Sequence, residues 1–226
     1  MGGVFLYYEG MNRVINGDFR DYDIPKEAFI ISDPPYNQGY HYNSYSDRLA
    51  PAEYRALLFT AFADKKSAIV LYPEETINIF GGGTLGTCEQ VVSWVYPSNT
   101  AKQHRLVTWW NTKPDMRAVG QPYRNPTDKR IAKRIAEGKE ARLYDWWEIN
   151  QVKNVSKAKA GNPHTCPIPY ELAERIVLIT TKPGDLVVDP FCGSGTVLLA
   201  AKNNGREYLG FDIDANYCHY AQNLLA

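Results

Sequence analysis

Asp33-Pro34-Pro35-Tyr36 is the first stretch of this 226-residue chain whose residue types could do chemistry together. Two consecutive prolines fix φ and remove two backbone donors, so the segment turns only carbonyl acceptors outward. With a carboxylate before them and an aromatic face after them, the set suits the grip of a planar ring bearing an exocyclic NH2. The Asp33 carboxylate and the Pro34 carbonyl can each accept one amine hydrogen while Tyr36 stacks on the ring. The lone pair of an aromatic amine is delocalised and poorly nucleophilic. Two acceptors push the nitrogen toward sp3 and localise that pair toward an incoming electrophile. Positioning then matters more than acid–base strength. Asp33 is also the candidate acceptor of the released proton, and no metal is called for.

The second signal lies about 155 residues further on, at Leu186-Val187-Val188-Asp189-Pro190-Phe191-Cys192-Gly193-Ser194-Gly195-Thr196. It reads as a buried strand ending at Asp189, a turn through Gly193 and Gly195, and a helix opening at Thr196. Glycines let backbone approach a ligand closely, and a helix N-terminus offers free N–H donors. The next strand runs into Asp212, 23 residues beyond Asp189 and placed to accept both hydroxyls of a ribose. A dinucleotide fingerprint would need a third glycine where Leu198 stands, and a P-loop would need Gly-Lys-Ser/Thr. A purely structural turn would leave the acid at the strand tip a coincidence.

Short apolar runs alternating with amphipathic stretches must position these loops, the pattern of a parallel sheet with crossover helices. Strands are expected at 13–15, 29–32, 68–72, 90–96, 105–110, 186–189 and 207–211, and helices at 51–65, 73–80, 129–142, 169–180, 196–204 and 216–225. Stretches 111–125 and 154–163 read as loops bracketing a basic helix. Trp109, Trp110, Trp146 and Trp147 flank that segment as core or as stacking platforms, with core favoured for most. The expected layout is one domain over 1–226 with an insertion at about 112–143.

Net charge is zero, yet residues 101–161 carry fourteen Lys/Arg against six Asp/Glu. A basic middle in an otherwise acidic chain suggests a polyanion-facing segment, the bland alternative being a solvated helix face. The four cysteines lack the close spacing of a zinc knuckle or disulfide framework. No apolar run approaches the ~20 residues that cross a bilayer, and Asp21 and Asp23 come early for a secretory leader. A cytoplasmic protein with free thiols is the expectation.

The tetrad and the glycine turn together resemble the amino-methyltransferases that methylate adenine in DNA, specifically the permuted (β) group, in which the catalytic tetrad precedes the cofactor turn. Asn16-Gly17-Asp18 looks like the Gly-Asp ahead of the tetrad strand. Trp94-Val95-Tyr96-Pro97 looks like the Trp-x-Lys-Pro region, with Tyr96 where lysine is more usual. Tyr144-Asp145-Trp146-Trp147-Glu148-Ile149 and His164-Thr165-Cys166-Pro167-Ile168-Pro169, with Leu172 and Arg175, match further segments. The resemblance covers most of the chain outside about 112–143.

It implies a seven-stranded, mostly parallel Rossmann-like sheet with helices on both faces, and S-adenosyl-L-methionine as cofactor. Asp212 would bind its ribose and Ile213 would pack on its adenine. Phe191 and Gly193, joined by Asp18, would line the methionine part, with Asp189, Gly195 and Thr196 completing the cofactor set. The implied reaction is N6-methylation of adenine in double-stranded DNA, of the restriction-modification, orphan or phage type. Because the amine is hidden in the stack, the base must be flipped out. Residues 37–45, beginning at Asn37, read either as a loop closing over the flipped nucleotide or as inert surface. Lys129, Arg130, Lys133 and Arg134 are candidate phosphate contacts in the segment corresponding to target recognition. Its shortness implies a relaxed or very short target, or recognition completed by a homodimer partner or another subunit. Cytosine N4, RNA adenine and a non-catalytic nucleic-acid-binding subunit are the alternatives, the first disfavoured because it usually goes with Ser in the Asp33 position. A dinucleotide oxidoreductase is disfavoured by the missing glycine.

Overall fold

The computed structural model describes residues 10–40, 44–80, 85–98, 101–152 and 167–226. The expected loop at 154–163, residues 41–43 of the loop after the tetrad, and residues 164–166, which include Cys166, lie outside them. The strands are β1 (Arg13–Asn16), β2 (Phe29–Ser32), β3 (Lys66–Leu71), β4 (Cys88–Val95), β5 (His104–Trp110), β6 (Gly120–Gln121), β7 (Ala141–Arg142), β8 (Trp146–Glu148), β9 (Leu186–Asp189) and β10 (Glu207–Asp212). The helices are α1 (Pro51–Phe62), α2 (Pro73–Phe80), α3 (Lys129–Ala136), α4 (Tyr170–Thr180), α5 (Thr196–Asn203) and α6 (Ala215–Leu225).

The main sheet runs β1-β10-β9-β2-β3-β5-β4-β8. Only β5 is antiparallel to its neighbours; every other adjacent pair is parallel. All seven expected strands are present, and β8 extends the sheet to eight by pairing in parallel with β4. Three residues are too few to display an alternation, so that edge strand left no periodic mark in the sequence.

Burial on both faces explains the near-continuous apolar runs of the central strands. Ile31, Ala68, Val70 and Val187 face a core closed by α4, α5 and α6. Their alternates Ile30, Ile69, Leu71 and Val188 face a second core closed by α1. The side-chain period of 2 thus sorts neighbouring residues onto opposite layers.

The basic helix is shorter than expected. α3 ends at Ala136 rather than 142, because Gly138 takes a left-handed φ of +71° and the Lys139 N–H caps the Arg134 carbonyl at 2.9 Å. The chain then returns as β7 to pair antiparallel with β6.

The β2–α1–β3 and β9–α5–β10 crossovers leave in opposite directions from two adjacent parallel strands. The carboxyl ends of β2 and β9 are therefore the switch point of the sheet, where such folds open a crevice.

Candidate active site

Ser32 and Asp189 are the last residues of those two strands, and both are buried. The Ser32 Oγ–H donates to Asp189 Oδ1 at 2.6 Å, joining positions 157 residues apart. From this junction one chain segment continues into the tetrad and the other into the glycine turn. Between them lies a cavity of about 440 Å3. Asp18, Asp33, Pro34, Pro35, Tyr36, Phe191, Asp212 and Ile213 all line it. The two sequence signals, read separately, share one cleft.

The tetrad is braced from outside itself. Tyr54 of α1 donates its hydroxyl to the Pro35 carbonyl at 2.6 Å. Tyr36 is buried, its hydroxyl donates to Asp33 Oδ1, and its ring lies against Tyr72 at 5.0 Å between centroids. Buried Asp47 accepts the backbone N–H groups of Asn37, Gln38 and Tyr40 at 2.8, 3.0 and 2.9 Å. The loop end then reaches across to the start of α6, where the Ser44 Oγ–H donates to Asp214 Oδ2 at 2.9 Å.

On the opposite wall, Asp212 holds the glycine turn. Its Oδ2 accepts the Gly193 N–H at 2.9 Å and its Oδ1 accepts the Asp214 N–H at 2.8 Å. Gly195 is the N-cap of α5 with φ +81°, and Thr196 is its first residue. Asp189, Gly193, Gly195 and Thr196 do not line the cavity; they shape the strand end and turn that do. Asp18 lines it with its carboxylate engaged by the Arg20 Nε–H at 2.9 and 3.0 Å, which holds its pKa below the usual range.

Burial raises the pKa of Asp33, Asp189 and Asp212 alike. Asp189 is pushed up to about 7, against the pull of its hydrogen bonds from Ser32 and Phe191. A carboxyl that binds its proton more tightly folded than unfolded favours the native state at low pH. That advantage disappears as pH rises through the folded value. Asp189→Asn keeps an acceptor for both donors and never ionises. Its stability should therefore gain on the parent's as pH climbs from 5 to 8, by at most about 3 kcal/mol, read as a rising difference in melting temperature. Parallel melting curves across that range would exclude the reading.

Asn37 lies outside the lining set. At φ +56° its amide donates to the Leu49 carbonyl at 2.9 Å and accepts the Leu49 N–H at 2.7 Å, closing the loop. Lys129, Arg130, Lys133 and Arg134 stand together on α3, which has no buried residue and is capped by Asp128. Trp109, Trp110 and Trp147 are core, whereas Trp146 is 42% exposed beneath the Arg124 guanidinium at 5.0 Å. Sequence reading missed Arg105, Tyr54 and Asp47. Nothing local singled out Arg105, which follows Lys102-Gln103-His104 and reads as the charged start of an apolar, Trp-rich strand.

The profile of a family described as DNA methylase matches residues 87–223. The chain belongs to that family. Among curated relatives, it is similar to the Type II methyltransferase M.BglII of Bacillus subtilis, at 26% identity over 96% of this chain and 69% of the relative. M.HpaI of Haemophilus parainfluenzae is 27% identical over 87% and 67%. The chain thus spans about two-thirds of the length of both. Solved structures share the fold at lower identity. The PvuII DNA methyltransferase, titled cytosine-N4-specific, superposes with a TM-score of 0.65 at 16% identity, over 94% of this chain and 85% of that one. The complex of M1.HpyAVI with SAM gives 0.57 at 21%, over 94% and 98%. Among the described residues no helix is long and apolar enough to cross a membrane.

Proposed function

We propose that this DNA methylase transfers a methyl group from S-adenosylmethionine to the N6 amine of an adenine flipped out of duplex DNA, in the permuted arrangement that its motif order suggests. The observation that carries the reading is the joint lining of one cavity by Asp33–Tyr36 and by Phe191, Asp212 and Ile213. The residues fit the cofactor. Each Asp212 oxygen accepts one backbone N–H and retains a lone pair for a ribose hydroxyl. Ile213, 43% exposed on the cavity wall, is an apolar surface for a purine. Phe191 and Asp18 would flank the methionine part, as would Gly193 through the turn it builds. When bound, the cofactor supplies an electrophilic methyl on a sulfonium.

The chain's own part is to present the amine. Asp33 and the Pro34 carbonyl accept its two hydrogens and localise its lone pair, Tyr36 braces the ring, and Asp33 takes the proton afterwards. The carboxylate distinguishes this tetrad from one beginning with Ser, which favours adenine over cytosine. The test is transfer of labelled methyl to duplex DNA followed by hydrolysis and chromatography of the bases. Label in N6-methyladenine is expected. Label confined to N4-methylcytosine, or incorporated only with an RNA substrate, would overturn the assignment.

Target binding is assigned to residues 112–143. Every residue of α3 but Ile131 is exposed, and a groove of about 860 Å3 beside it is lined by Arg117, Arg134, Lys139 and Arg142, among others. Such a surface neutralises phosphates and gives affinity and salt dependence more than sequence reading. Reversing Lys129 and Lys133 to Glu together should weaken DNA binding and reduce the slope of log K against log salt by about 2. Anisotropy titrations at several salt concentrations check this; an unaltered slope would return α3 to an inert solvated face. A segment this short goes with a relaxed or very short target, or with recognition completed by a second copy of the chain or another subunit.

A further inference from the structure

We infer that Arg105 is a positioning residue that keeps Asp33 a pure hydrogen-bond acceptor, an inference resting on the methyl-transfer reading above. Arg105 is the second residue of β5, paired with Trp94 on β4. Its side chain is 3% exposed, and its Nη1 lies 4.0 Å from Asp33 Oδ2. Aromatic rings surround the guanidinium: Tyr36 at 5.0 Å, Tyr72 and Trp94 at 5.1 Å, and Tyr96 at 5.7 Å. They arrive from three strands of the sheet: Tyr36 beyond the end of β2, Tyr72 just after β3, and Trp94 and Tyr96 on and just after β4.

A buried charge on this scale is costly unless paired. Planar, weakly hydrated guanidinium on ring faces is the form of cation that tolerates such a site, where an ammonium would not stack. Arg105 does not line the cavity, so it acts through Asp33 and not on the substrate.

The two Asp33 oxygens are held differently. Oδ1 accepts the Tyr36 hydroxyl and Oδ2 faces Arg105. A carboxylate can accept an amine hydrogen there; a protonated carboxyl would point its own hydrogen at the amine and waste the grip. Burial favours the protonated form, while Arg105 and Tyr36 oppose it. Asp189 at the end of β9 and the Tyr54 phenol on α1 also face the group, and the Asp33 charge raises the pKa of both. Lys102 and Glu74 lie beyond, with Lys102 over the outer ring Tyr72 at 4.3 Å. Arg105 is therefore the cation set directly against Asp33.

The experiment is a carbon-13 carboxyl NMR titration of Asp33, its resonance assigned with Asp33→Asn, in the parent chain, Arg105→Lys and Arg105→Met. An ionised Asp33 at pH 7 is expected in the parent. The midpoint should rise by at least about one pH unit in Arg105→Met and less in Arg105→Lys, which keeps the charge. The acid limb of kcat should move in parallel, a loss of about tenfold below the limb per unit moved, with the KM for S-adenosylmethionine unchanged. A neutral Asp33 in the parent at pH 7, or the same midpoint in Arg105→Met, would overturn the inference. Should Arg105→Met not fold, Arg105→Gln carries the same expectation, and the parent titration stands by itself. The titration needs no turnover. Absence of methyl transfer to any base would sink the functional reading and still leave the Arg105–Asp33 pair to be judged.

Discussion

Asp33→Ala is expected to lower methyl transfer by about 10²–10⁴-fold while leaving S-adenosylmethionine affinity within a factor of two of the parent's. The asymmetry follows from the two walls of the cleft. On the proposed reading Asp33 addresses the amine, whereas Asp212 and Ile213, at and just after the end of β10, and Phe191 of the glycine turn address the cofactor. Truncation also strips Arg105 of its counter-charge, at 4.0 Å in a buried site. The loss of a partner from such a pair costs about 3–5 kcal/mol. Asp33→Asn is the companion variant. It keeps the volume and one acceptor oxygen but replaces the second with a donor, so it should fold better and still turn over poorly. Calorimetry for the cofactor and single-turnover methyl transfer separate the two effects. Turnover near the parental level in either variant would remove Asp33 from its assigned role.

The second large effect is expected at Gly195. At φ +81° this residue occupies backbone space that L side chains rarely adopt, and a Cβ there would meet Ala221 Cβ at 2.9 Å and its Cα at 3.4 Å. Strain at such a φ costs about 1–3 kcal/mol. The contact adds to it, because the opposing atoms belong to α6 and include backbone. Gly195→Ala should therefore lower the melting temperature by about 3–10 °C and weaken cofactor binding at least about tenfold, since the displaced turn carries Phe191 and the Gly193 N–H. Gly184→Ala is the matched control. Its φ is +85° with nothing within 4 Å of an added Cβ, so it carries the backbone cost without the clash. It should leave cofactor affinity unchanged. Equal losses in the two variants would mean that the turn is not held by its packing on α6.

The parts of this fold legible in the sequence were those whose information is local. β2 and β9 run from Phe29 to Ser32 and from Leu186 to Asp189, the bounds their apolar runs suggested, and each delivers its motif where the run stops. What the sequence hid depends on partners far away along the chain. Ser32 sits one residue before the tetrad and looks idle until its hydroxyl meets Asp189. Arg105 looks like the charged start of a strand until β5 docks antiparallel beside β3 and carries it to Asp33. Asn37, at the start of the stretch read as a closing loop or inert surface, gives no local hint that its amide pairs with Leu49, where an Asn at left-handed φ serves as a turn device. The basic helix was over-extended because Lys and Arg continue past Ala136, and a single glycine at Gly138 reverses the chain.

The order of the strands has a consequence for how the molecule comes into being. β9 and β10 lie between β1 and β2, so the first two described strands have no edge in common. The half running from β2 through β3, β5 and β4 to β8 can assemble on the nascent chain, leaving one side of β2 open as a bare strand edge. Only when residues 186–212 have emerged can they slot into that gap and dock β1 beyond them. Asp33 and Asp212 meet in that same event. The candidate cleft is thus absent from any nascent chain that has not passed residue 212, and such a chain carries the tetrad without the opposite wall.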